Sequence, residues 1–234
     1  MKNFYWLSSF PRSGNRLLSE IIHLLARDGG KFRETVPDYH QNQVIRSSFC
    51  KIHSLYENLP DLNCRIIYLM RNPFDVLLSS INYLQNFQKV LLKSSFASDF
   101  SNQRGYINEW KEWGSYYKHV SSFLLNEKLK SEDLLIVQFE NLILNKPNEI
   151  KRISDFINVP VTEKKILNIQ KRTSFSNVKS KEPNNVLLKN GGVNQPNNLL
   201  NPEEKDQVLR FYNELIEKVN TFRLVKMEGI CSVH

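Results

Sequence analysis

Phe4-Tyr-Trp-Leu-Ser8-Ser-Phe10-Pro-Arg12-Ser-Gly14-Asn-Arg16 runs from an apolar, β-favouring segment straight into a turn-forming cluster. Beyond it, Leu17, Leu18, Ile21, Ile22, Leu24 and Leu25 recur at helical spacing until Asp28-Gly29-Gly30, which predicts a strand over 4–8 and an amphipathic helix over 15–27. A small-residue loop that hands a strand over to a helix N-terminus is suited to an anion, because backbone N–H groups and the helix dipole both face it. Arg12 and Arg16 could add bidentate contacts from their guanidinium groups. The loop is not a Walker A sequence, since no Lys-Ser or Lys-Thr pair follows a glycine at that spacing. The plainer reading is an ordinary turn with solvated arginines.

The same arrangement recurs downstream. Arg65-Ile-Ile-Tyr-Leu-Met70 reads as a buried strand that ends at Arg71-Asn72-Pro73, and a helix follows to about Leu84 with Pro73 and Asp75 in its first turn. Arg71 and Ser79 are spaced to face one crevice; alternatively, Asp75 merely pairs a neighbouring base. A third buried strand is expected over 134–139 and another helix over 147–157. Strands alternating with helices imply an α/β fold, a central and mainly parallel sheet flanked by helices, with ligands bound beyond the carboxyl ends of its strands. Two further helices are expected. One, over 106–125, carries Trp110, Trp113, Tyr117 and Val120 as a core stripe; the last runs over 202–222. Lys189 to Asn201 has no periodicity and reads as a long loop of the lid type.

A chain of 234 residues, 41% hydrophobic, fits one domain over 1–234. Charges interrupt every apolar run within about ten positions, short of the ~20 residues that a membrane span needs. The opening apolar run is too short for a signal peptide, so a cytoplasmic location without membrane association is expected. Cys50, Cys64 and Cys231 share no metal-binding or disulfide spacing, and no metal is expected. The net charge of +8 calls for anionic partners. Its even spread along the chain favours a local anion pocket over nucleic acid.

Cys50-Lys51-Ile52-His53-Ser54 reads as a short strand whose alternation puts Lys51 and His53 on one face. A histidine beside a fixed cation is a candidate general base. His23, His40, His119 and His234 have no comparable company and are given no role.

Taken together, FPRSGN at 10–15, KIHS at 51–54, RNPFDVLLSS at 71–80 and TSF at 173–175 resemble, in order and separation, the motifs of sulfotransferases of the cytosolic and bacterial kind. Those enzymes use 3′-phosphoadenosine 5′-phosphosulfate (PAPS). The resemblance implies a P-loop-like phosphosulfate loop formed by Arg12, Ser13, Gly14, Asn15 and Arg16. It implies that Arg71 and Ser79 hold the 3′-phosphate, and that Thr173 and Phe175 lie near the nucleotide. Lys189, Asn190 and Gly191 are similar to a cluster that closes over that phosphate. His53 is then the catalytic base, with Lys51 and Arg12 stabilising charge at the transferring group. The chain departs from the family pattern in having Arg12 for a lysine, Asn15 and Arg16 for two threonines, and Leu17 for a tryptophan. The expected reaction is in-line sulfuryl transfer to a hydroxyl or amine of a small-molecule acceptor such as a secondary metabolite, with 3′-phosphoadenosine 5′-phosphate (PAP) as product. The alternatives are a kinase-like phosphoryl transferase and a non-catalytic module that binds a polyanion or nucleotide.

Overall fold

The computed structural model describes residues 4–26, 48–60, 64–86, 88–91, 100, 113–181 and 201–231. Strands β1 (Phe4–Ser8), β2 (Phe49–Ile52), β3 (Cys64–Met70) and β4 (Leu134–Gln138) form one sheet in the order β2-β1-β3-β4. All three pairings are parallel, and Leu7 sits in register with Lys51 on one side and Ile67 on the other.

Side-chain alternation along these strands divides the core into two layers. Tyr5, Leu7, Ile67, Leu69 and Val137 face helices α1 (Asn15–Ala26), α5 (Lys146–Phe156) and α6 (Glu163–Arg172), which bury Leu18, Ile22, Ile150, Ile153 and Ile169 there. Trp6, Cys50, Ile52, Ile66, Tyr68 and Met70 face the other way. They meet α2 (Pro73–Asn86), α3 (Tyr116–Leu124) and α8 (Pro202–Cys231), which contribute Val76, Leu77, Val120, Phe123, Phe211 and Leu215. β3 is buried on both faces, which explains why its sequence is an almost unbroken apolar run.

This layering fixes where a ligand fits. β1 and β3 are neighbours, yet α1 leaves β1 for one face of the sheet while α2 leaves β3 for the opposite face. The chain therefore opens a crevice beyond the carboxyl ends of β1 and β3, the topological switch point of an open α/β sheet.

Three expectations are corrected. β4 stops at Gln138, and Phe139 instead begins a short helix, α4 (Phe139–Leu144). Trp113 lies in a 3-10 turn ahead of the α-helix, which starts only at Tyr116. The helix expected over 106–125 is described only as α3, because Gly114 adopts φ +71 and Ser115 caps the start by accepting the amide of Lys118 at 3.1 Å; residues 101–112 are outside the described residues. The last helix continues past 222 to Cys231.

Candidate active site

The loop after β1 is shaped by three local constraints. Phe10 is fully buried, edge-on to Tyr116 at 5.4 Å and to His119 at 5.7 Å, and anchors the chain's exit from the strand. Arg12 lies in the left-handed region at φ +70 and Gly14 at φ +104. A Cβ at Gly14 would lie 2.4 Å from the ring of Phe139, so the backbone there can pass only as glycine. The carbonyl of Gly14 accepts the amides of Leu17 and Leu18, which starts α1 and turns its first-turn amides toward the loop.

The second turn meets the first. Asn72 caps α2 by accepting the amide of Phe74 at 2.9 Å, and its own amide donates to Oε1 of Glu140 at 2.9 Å. Arg71 is buried, with its guanidinium 4.3 Å over the ring of Phe139 and 3.8 Å from Asp75. Its Nη1 donates to the carbonyl of Arg12 at 3.3 Å. Arg12 in turn donates from Nε to Oγ of Ser79 at 3.2 Å and stacks 4.6 Å over Tyr83. Arg12, Arg71 and Ser79 thus come together in one crevice.

Burial lowers the pKa of both arginines. At Arg12 the field of Tyr83 opposes that shift and the charge of Arg71 adds to it; at Arg71 the carboxylates of Asp75 and Glu140 oppose it. Both stay cationic, and two adjacent guanidinium groups concentrate positive potential that a multiply charged anion would relieve. Ser13 Oγ and both amide atoms of Asn15 are buried without a hydrogen-bond partner among the described residues. Unsatisfied polar atoms beside two cations fit a phosphate- or sulfate-bearing ligand.

His53 lies just past the end of β2, half-buried, with its ring 5.7 Å from Trp113. Its Nδ1 donates to the carbonyl of Ser9 at 2.8 Å, so in the neutral ring Nε2 carries the lone pair. Cys50 and Ile52 join the layer of α2 and α3, so Lys51 faces the α1 layer beside Leu7, while His53 lies beyond the strand and turns toward Trp113.

Of the remaining candidates, Arg16 is the exposed residue of the loop. Thr173 is the buried C-cap of α6, and its carbonyl and hydroxyl accept hydrogen bonds from the buried Nζ of Lys146 at 2.9 and 3.3 Å. Phe175 is 36% exposed and begins helix α7 (Phe175–Lys181). Lys189, Asn190 and Gly191 lie outside the described residues.

Comparison with known proteins is decisive at this point. Residues 31–229 match the sulfotransferase domain family. The chain belongs to that family. It is 25% identical over 94% of its length to a flavonol sulfotransferase-like protein of Flaveria bidentis, covering 74% of that protein. It is also 25% identical over 77% of its length to 3-beta-hydroxysteroid sulfotransferase of Cavia porcellus, covering 67% of it. The structure of mouse sulfotransferase SULT7A1 complexed with PAP superposes with a TM-score of 0.69 at 21% identity, over 99% of this chain and 90% of that one. Among the described residues of this sulfotransferase, no helix is long and apolar enough to cross a membrane.

Two residues of this sulfotransferase escaped the sequence reading. The apolar run extends a strand through Phe139, yet this residue touches Gly14 and carries the guanidinium of Arg71. His119 was given no role, yet it is fully buried and its Nε2 donates to the carbonyl of His53 at 2.8 Å. The Gly-Ser pair before its helix was the available sign of a capped start that places His119 early in the helix.

Proposed function

We propose that this sulfotransferase moves the sulfuryl group of PAPS to a hydroxyl or amine of a small-molecule acceptor, using His53 as general base. One observation supports the reading above all others: Arg12 and Arg71, from loops that serve opposite layers of the sheet, meet at the β1/β3 switch point, with Ser79 bonded to Arg12.

Arg71 and Ser79 hold the 3′-phosphate, and the amides of Ser13, Gly14, Asn15 and Arg16 with the Arg12 guanidinium hold the phosphosulfate end. Thr173 and Phe175 border the nucleotide, and Lys189, Asn190 and Gly191 cover it. PAPS supplies the sulfuryl group and departs as PAP. His53 accepts the acceptor's proton at Nε2, because its bond to Ser9 commits Nδ1 as a donor. Arg12 and Lys51 stabilise charge on the oxygens around sulfur; Arg12 remains a cation throughout and donates no proton to the leaving oxygen. Trp113 offers an aromatic wall beside the base, which suits a flat apolar acceptor. The flavonols and 3-hydroxysteroids named for its relatives are the first to test. Catalysis needs no metal in this scheme, and the enzyme works as one domain in the cytoplasm.

The test is a donor swap with a panel of a flavonol, a 3β-hydroxysteroid and a simple phenol. PAPS should give sulfated product, and ATP with magnesium should give none. His53→Ala should bind PAP within a few-fold of the unaltered enzyme while turnover falls by about 10²–10⁴. Undiminished turnover in that variant would remove His53 from the chemistry, and phosphoryl transfer from ATP would replace the reaction class.

A further inference from the structure

His119 is a fully buried titratable side chain outside the crevice, and both nitrogens of its ring are committed. Its Nε2 lies 2.8 Å from the carbonyl oxygen of His53, and its Nδ1 lies 2.8 Å from the hydroxyl of Tyr68. A carbonyl only accepts, so Nε2 must carry the hydrogen, and the neutral ring then accepts the Tyr68 proton at Nδ1. These contacts form a chain of bonds. Ser9 takes the Nδ1 proton of His53, His53 takes the Nε2 proton of His119, and His119 takes the proton of Tyr68.

We propose that His119 is a positioning residue: it fixes the backbone carbonyl of His53, and through it the orientation and tautomer of the His53 ring. The inference rests on the reading of His53 as the base. The carbonyl carbon of His53 is bonded directly to the Cα that bears the ring, and β2 ends one residue earlier at Ile52. The donor from α3 holds that peptide plane at 2.8 Å. A rotation of the plane carries the ring away from Ser9 and from the orientation in which Nε2 faces the acceptor, and a misplacement of ~1 Å costs about 10²-fold in rate. The ring of His119 is suited to this duty because burial keeps it neutral, with a pKa lowered to about 3, so its single hydrogen stays committed through the physiological range.

Two substitutions separate the two ring nitrogens. The amide nitrogen of His119→Gln reaches the place of Nε2 and keeps the donor to His53, whereas His119→Asn reaches only the place of Nδ1 and keeps the contact with Tyr68. Nitrogen-15 spectra of the histidine rings in the full chain read the tautomer of His53 directly. The unaltered chain and His119→Gln should show His53 protonated at Nδ1, and His119→Asn should show a mixture. Turnover with PAPS should fall about 10²-fold in His119→Asn and return to within several-fold in His119→Gln, with PAP affinity unchanged in both. Equal tautomers and equal turnover in the two variants would overturn the proposal. So would a spectrum of the unaltered chain with His119 protonated at Nδ1, which needs no variant to fold. A chain that neither binds PAP nor turns over would defeat the assigned reaction, while the ring spectra would still decide whether His119 orients His53.

Discussion

A methyl group added at Gly14 would lie 2.4 Å from one ring carbon of Phe139 and 2.5 Å from the next, on a backbone at φ +104 that side-chain-bearing residues rarely adopt. Phe139 cannot simply swing aside, because it is buried and supports the Arg71 guanidinium. Gly14→Ala should therefore cost about 1–3 kcal/mol of stability from backbone strain and overpacking, read as a lower urea midpoint at unchanged slope, and should weaken PAP binding through the displaced Arg71. A variant with unaltered midpoint and PAP affinity would show that the loop relaxes freely around the new methyl. Single residues were unevenly legible in the sequence. Arg12, Gly14 and Arg71 stood out because each occupies a handover from strand to helix, where the residue type itself suggests a ligand, and Ser79 because its spacing along α2 turns it toward the same crevice as Arg71. Phe139 and His119 gave no such sign: their duties come from what the fold brings against them across the sheet, and an apolar run or an aromatic stripe looks the same whichever partner it meets.

At the level of elements, the strands and the helices that follow them were legible because an apolar run bounded by a proline- or glycine-bearing turn has one physical reading. Helix starts were less so. The aromatic spacing ahead of α3 continues a helical period, but Gly114 at φ +71 and the Ser115 cap interrupt it, and a cap is a local competition that periodicity does not record. The start of α2 shows what such a cap contributes. Asn72 accepts the amide of Phe74 through its side chain, while its backbone amide is tied to Glu140. Asn72→Ala removes only the first contact and should cost about 1 kcal/mol, measurable by urea denaturation. Because Arg71 immediately precedes this cap, the variant should also bind PAP more weakly, whereas loss of stability with full PAP affinity would separate the cap from the crevice.

For the molecule as a whole, the α/β class and the ligand edge followed from the alternation of elements, but strand order did not. Only the sheet order β2-β1-β3-β4 makes the ends of β1 and β3 a crevice. The chain of bonds through Ser9, His53, His119 and Tyr68 joins the ends of β1 and β2 to β3 and α3, so it belongs to global stability as much as to the site. Its protonation has a calculable consequence. His119 has a pKa of about 3 in the folded chain because burial disfavours its charged form, opposed by its bond to the His53 carbonyl and reinforced by the His53 charge; in the unfolded chain it returns to about 6.5. Between those values the unfolded state binds the extra proton, so this contribution is fully present above pH 6.5 and is lost as the pH falls toward 3. The loss relative to neutral pH should reach about 2 kcal/mol at pH 5. Subtracting the stability curve of His119→Gln cancels the carboxylates that both chains share and isolates this histidine. The difference should decline steadily below pH 6.5, and a difference that stays flat from pH 7 to 5 would mean that His119 takes up its proton without leaving the fold.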